Sequence, residues 1–76
     1  MKLAYVLINT DMGTEGKVTN DLNKIEEVKE VYGVYGVYDL IVRVEAETME
    51  KLKAAISDST RTIENIRSTL TMIVVD

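Results

Sequence analysis

Between Val28 and Ala46 the chain carries two β-forming runs separated by a short glycine-containing link, and this pair constrains the fold more than any other feature. In the second run, from Tyr38 to Ala46, Leu40, Val42 and Val44 point one way while Ile41, Arg43 and Glu45 point the other. One face of that strand meets a core and the other is partly polar. The first run, Val28 to Gly36, holds the β-formers Val28, Val31, Tyr32, Val34 and Tyr35. The link at Tyr35-Gly36-Val37 is short enough to make the two runs an antiparallel hairpin.

The remaining elements fall on either side of this hairpin. Leu3 to Asn9 is a short, continuous apolar run and reads as a central strand, ended by the turn formers Asn9-Thr10-Asp11-Met12-Gly13-Thr14. Val18, Leu22, Ile25 and Val28 then recur at helical spacing, which predicts an amphipathic helix over Glu15 to Glu27. After the hairpin, Thr48 stands as an N-cap and Glu50 lies in the first turn, where the helix dipole favours an anion. Met49, Leu52 and Ile56 form the apolar stripe of a second helix over Met49 to Thr60. Ser57-Asp58-Ser59-Thr60 are poor helix formers and are expected to fray its end. A connection over Arg61 to Asn65 leads to a last strand, Ile66 to Val75, rich in Thr, Ile and Val. The order strand, helix, strand, strand, helix, strand is the split βαβ, an α+β ferredoxin-like βαββαβ pattern. It predicts one four-stranded antiparallel sheet with both helices on one face.

Such a sheet leaves its other face bare, and a bare β-branched face is an association surface by default. Size points the same way. With 76 residues the chain is one domain, and a domain of this size hides only roughly 60 to 65% of the surface its unfolded chain exposes. Its core alone rarely supplies more than ~3 to 5 kcal/mol. The chain has no cysteine and no histidine, so disulfides and zinc are not available as staples. Oligomerisation through the open face is the remaining device.

The same two absences remove the Ser-His-Asp triad, thiolate nucleophiles, haem ligation by His or Cys, and the commonest general base. Gly13, Gly16, Gly33 and Gly36 form neither a P-loop nor a dinucleotide fingerprint. Glu26, Glu27 and Glu30, or Glu45 and Glu47, read as solvated charges rather than a catalytic pair. No cofactor is implied. Nine Lys and Arg against thirteen Asp and Glu give a net charge of −4, which argues against nucleic acid and against anionic membranes. The apolar run after Met1 is too short for a bilayer span or a signal peptide, so a cytoplasmic location is expected.

One carboxylate invites attention. Asp39 follows the hairpin link at the mouth of an apolar strand, where an unpaired charge is costly to bury and needs a donor. That donor is either the turn amides of its own hairpin or the ammonium group of a small ligand at a subunit interface. Tyr32, Tyr35 and Tyr38 recur every third residue, so they cannot share one strand face and serve as packing residues or as ligand walls. Ser68, Thr69 and Thr71 read as β-formers whose hydroxyls are able to meet a polar ligand, and Met49 and Met72 as core or interface filler.

Three segments carry a resemblance to a known family. They are Val34-Tyr35-Gly36-Val37-Tyr38-Asp39-Leu40-Ile41-Val42-Arg43-Val44, Thr48-Met49 at the second helix, and Ile66-Arg67-Ser68-Thr69-Leu70-Thr71-Met72-Ile73-Val74. Together with Val28 they resemble the effector-binding RAM domain of the Lrp/AsnC transcription regulators, over essentially the whole chain. The resemblance implies a non-catalytic amino-acid-binding module whose sheets pair into a homodimer (a dimeric α+β barrel), with dimers assembling into rings of eight or ten. Gly36, Val37, Tyr38 and Asp39 would form the hairpin side of the effector pocket, Asp39 meeting the ligand's ammonium, and Met49, Thr71, Met72 and Ile73 would complete it. Tyr35 stands where the family often has Thr, which reshapes or closes that pocket. The regulators carry an N-terminal helix-turn-helix, whereas this chain begins at the first RAM strand. It is therefore expected to be a single stand-alone RAM domain that regulates transcription indirectly, by associating with a full-length regulator. A small dimeric α+β barrel enzyme and a purely structural subunit are the competing expectations.

Overall fold

A computed structural model describes residues 1–75. The order is β1 (Lys2–Thr10), α1 (Glu15–Asn23), β2 (Val28–Gly33), β3 (Leu40–Ala46), α2 (Met49–Thr62) and β4 (Ile66–Ile73). The strands form one antiparallel sheet in the order β2-β3-β1-β4, which puts the two most apolar strands at its centre. This is the ferredoxin-like arrangement that the sequence pattern predicts.

Period-2 alternation sets which residues are inside. Ala4, Val6 and Ile8 of β1 and Leu40, Val42, Val44 and Ala46 of β3 are buried in one cluster with Val18 and Leu22 of α1 and Leu52 and Ile56 of α2. Both helices therefore cover the same side of the sheet. On the opposite side β1 presents Leu3, Tyr5 and Leu7, none of them fully covered, and β4 presents Leu70 and Met72, each nearly half exposed. The helices lie mainly over β1, β2 and β3, so Thr69 and Thr71 on the helix side of β4 are exposed, while Ile66 and Ile73 at its ends pack against the core.

Four boundaries differ from the sequence-based expectation. The first helix stops at Asn23 rather than Glu27: turns closed by Ile25 N–H to the Leu22 carbonyl (3.0 Å) and Val28 N–H to the Ile25 carbonyl (3.1 Å) swing the chain into the sheet. Ile25 still packs against the core from outside the helix. The hairpin link runs from Val34 to Asp39, longer than Tyr35-Gly36-Val37, and closes with Val34 N–H donating to the Asp39 carbonyl at 2.9 Å. Gly36 sits within it at φ +139°, a conformation L side chains rarely adopt. The second helix runs on to Thr62 because Ser59, Thr60 and Thr62 turn their hydroxyls onto the carbonyls of Ile56, Ser57 and Asp58. Those hydroxyls are satisfied inside the helix instead of competing with it. The last strand ends at Ile73, two residues before Val75. At the start of α2, Thr48 accepts from Lys51 N–H at 3.2 Å, the expected cap.

Candidate functional site

The C-terminal end of β1 gathers polar groups from three parts of the chain. Asp39 Oδ2 accepts from the backbone N–H of Thr10 at 2.9 Å and from its hydroxyl at 3.3 Å. Asp39 N–H in turn donates to the Ile8 carbonyl at 3.0 Å. The carboxylate is thus held by the neighbouring strand and not by the turn amides of its own hairpin, the first of the two expectations for it. Thr10 is buried, so Asp39 is the acceptor that lets this strand end lie away from water. Among the described residues nothing donates to the other oxygen, Oδ1.

Beside this contact the β1–α1 loop is clasped to the connection before β4. Asp11 N–H donates to the Asn65 carbonyl at 2.9 Å, and Asn65 Nδ2 donates to Asp11 Oδ2 at 3.1 Å. Asn65 adopts φ +74°, a left-handed conformation that Asn tolerates better than most residues. One residue later the β1·β4 register shifts: Asn9 pairs with Ser68 and Thr10 with Ile66, which steps over Arg67. A bulge of this kind re-aims a side chain, and Arg67 lines an open cleft of about 500 Å³ together with Asp11, Glu15, Asp39, Met12 and Val37. Among the described residues Arg67 makes no ion pair. A second cleft of about 410 Å³ shares Glu15 and Asp39 and is walled by Val34 and Tyr35. Among the described residues no cluster suited to a metal ion occurs.

The expected site residues fall into two groups. Val37 and Asp39 lie at the cleft, Gly36 and Tyr38 flank them in the same link, and Tyr35 is fully exposed at its tip. Thr71, Met72 and Ile73 pair with Val6, Tyr5 and Ala4, progressively further from the cleft. Ile73 stands four to six residues along β1 from Ile8 and Thr10, roughly 13 to 20 Å at the rise of a strand. Met72 projects to the open side of the sheet, and Met49 opens α2 near the far end and packs against the core. One chain does not bring the two groups together. Thr10, Asp11, Glu15 and Arg67 line the cleft and Asn65 clasps its loop, and sequence reasoning gave none of them a part in the site. The signal for Asn65 was an asparagine just before a strand, whereas nothing local marks Arg67 as bulged.

On the open face of the sheet a second polar group forms around Arg43. Its Nε donates to Glu30 Oε1 at 2.6 Å and its Nη1 to Glu45 Oε2, while the Tyr32 hydroxyl donates to Glu30 Oε2. The Tyr32 hydroxyl and then the Arg43 guanidinium hold the Glu30 carboxyl below its ordinary 4.5, and the bond to Glu30 raises the Tyr32 phenol above 10.0. A lowered carboxyl favours the folded state above the unfolded value and loses that advantage as pH falls through the folded one. The raised phenol loses its own advantage as pH rises through its folded value. The network is therefore intact between these limits. Tyr32→Phe is expected to raise the Glu30 midpoint towards 4.5, read by carboxyl carbon NMR, and an unmoved midpoint would show that the hydroxyl does not donate.

The family model for the Lrp/AsnC ligand-binding domain matches residues 3–76. This chain belongs to the Lrp/AsnC family. Among solved structures, FFRP-DM1 is 43% identical with a TM-score of 0.91, the match covering 99% of this chain and 100% of that one. The hypothetical protein PHS023 from Pyrococcus horikoshii is also 43% identical, with a TM-score of 0.92 over 99% of this chain and 90% of its own. The feast or famine regulatory protein Rv3291c from M. tuberculosis, complexed with L-methionine, is 26% identical with a TM-score of 0.80. That match covers all of this chain (100%) and about half (51%) of the mycobacterial protein. No curated protein matches significantly. The Lrp/AsnC domain is a regulatory ligand-binding domain and not an enzyme family. No described helix of this member is long and apolar enough to cross a membrane.

Proposed function

We propose that this Lrp/AsnC domain binds an amino acid in the cleft at Asp39 and couples its occupancy to association with other copies. The observation that carries the reading is the placement of Asp39. One oxygen is anchored on Thr10, the other receives no protein donor among the described residues, and Arg67 lines the same cleft without an ion pair. An α-amino acid carries an ammonium that suits Asp39 Oδ1 and a carboxylate that suits the Arg67 fork. The L-methionine bound to the mycobacterial relative supports this ligand class.

Because Gly36, Val37, Tyr38 and Asp39 lie far from Met49, Met72 and Ile73 in one chain, a pocket using all of them takes its second wall from a neighbouring copy. The open sheet face forms the homodimer, and dimers associate further into an octamer or decamer. A ligand held between copies shifts whichever assembly it prefers. The protein acts in the cytoplasm, and its net charge of −4 offers DNA phosphates little, so its effect on transcription runs through a full-length regulator. Titrating the twenty amino acids by calorimetry, with sedimentation at each end point, tests this. A subset is expected to give heat and to change the sedimentation coefficient; no heat with any of them would overturn the reading.

A further inference from the structure

The open face of the sheet combines two chemistries. Tyr5, Leu7, Ile41, Leu70 and Met72 form an apolar band across β3, β1 and β4, in cross-strand register. At its β2–β3 corner Arg43, opposite Tyr5, lies between Glu30 and Glu45, and Tyr32 covers the remaining oxygen of Glu30. These side chains are already partly withdrawn from water in the single chain, at 30% exposure for Arg43, 42% for Glu30 and 21% for Glu45.

A charge buried without a partner is strongly destabilising, whereas a group that is paired before burial does not bear that cost in full. The corner is closed on itself. Both oxygens of Glu30 are occupied, and Arg43 uses its fork on two carboxylates. A covering surface therefore meets one net negative unit at this corner instead of two, and that unit disfavours anionic lipid or nucleic acid. An apolar surface of matching size fits, and the same band on another copy is one. Four strands about 4.8 Å apart and about eight residues long give a footprint on the order of 500 Å² per copy. Two copies then bury on the order of 1,000 Å², the threshold for a specific pair.

Resting on the reading above that this face joins two copies, we infer that Arg43 is the residue that licenses the pairing. It neutralises Glu30 and Glu45 in place, so the corner is covered as a unit. Without it each copy would carry two carboxylates with no cation between them into the contact, four in the pair, and like charges set against each other there are rejected.

The test is sedimentation equilibrium at neutral pH on the full chain, with wild type, Arg43→Met and the triple variant Glu30→Gln/Arg43→Met/Glu45→Gln. Far-ultraviolet circular dichroism confirms that each is folded. Wild type is expected to dimerise at micromolar concentration, Arg43→Met to associate on the order of 100-fold more weakly, and the triple variant to recover to within about tenfold of wild type. Undiminished pairing of Arg43→Met, or a folded triple variant that fails to recover, would overturn the role of Arg43 while leaving the dimer standing. A wild-type chain that stays monomeric at tens of micromolar would overturn the underlying reading and this inference with it.

Discussion

Replacing Leu52 with alanine is expected to remove most of the stability of the single chain. Leu52 is fully buried and is among the largest such side chains in the protein. It projects from α2, which packs on the central strands β1 and β3. Truncating a buried leucine costs about 2 to 5 kcal/mol, through lost transfer free energy and the cavity left behind. A core in a domain this small rarely supplies more than ~3 to 5 kcal/mol. The two quantities are of one size, so the urea midpoint should fall close to zero in dilute samples. It should recover in part at high protein concentration, where association favours the folded state. A loss below about 1 kcal/mol would mean that α2 is seated by something other than Leu52.

The second large effect separates two duties of Asp39. Asp39→Ala removes the acceptor of the buried Thr10 N–H and is expected to cost about 1 to 3 kcal/mol in chemical denaturation, besides abolishing ligand binding. Asp39→Asn keeps an oxygen for Thr10 and should cost under about 1 kcal/mol. It withdraws the negative charge, so amino-acid affinity in calorimetry should fall on the order of 100-fold. Equal stability of Asp39→Ala and wild type would dispose of the structural duty. Undiminished affinity of Asp39→Asn would dispose of the ammonium contact and leave the Thr10 bond untouched.

This division of labour shows why the candidate site was only half legible before folding. That Asp39 needs a donor follows from the cost of burying a carboxylate at the mouth of an apolar strand. Which donor it finds depends on β1 lying beside β3, in a register that pairs Ile8 with Leu40 and brings Thr10 alongside, 29 positions away in the chain. Arg67 is a scattered cation in the sequence, and only the register shift opposite Asn9 and Thr10 places it at the cleft. The tyrosines behave as their spacing requires: Tyr32 lies on the open face, Tyr35 is exposed in the hairpin link, and Tyr38 is half-buried just before β3.

By itself the sequence determined the element order, the inward residues of the second hairpin strand and of the helices, and the expectation that one sheet face is bare. Alternation and helical spacing are local properties, and apolar side chains leave water whatever lies across the chain. The tertiary structure alone decided where α1 stops, how long the hairpin link is, which strand holds Asp39 and how Arg43 shares itself between two carboxylates. Each of these is settled by which donor meets which acceptor in the folded chain, from the three-residue turns that end α1 to the Thr10–Asp39 bond 29 positions apart, and hydropathy patterning does not encode that choice.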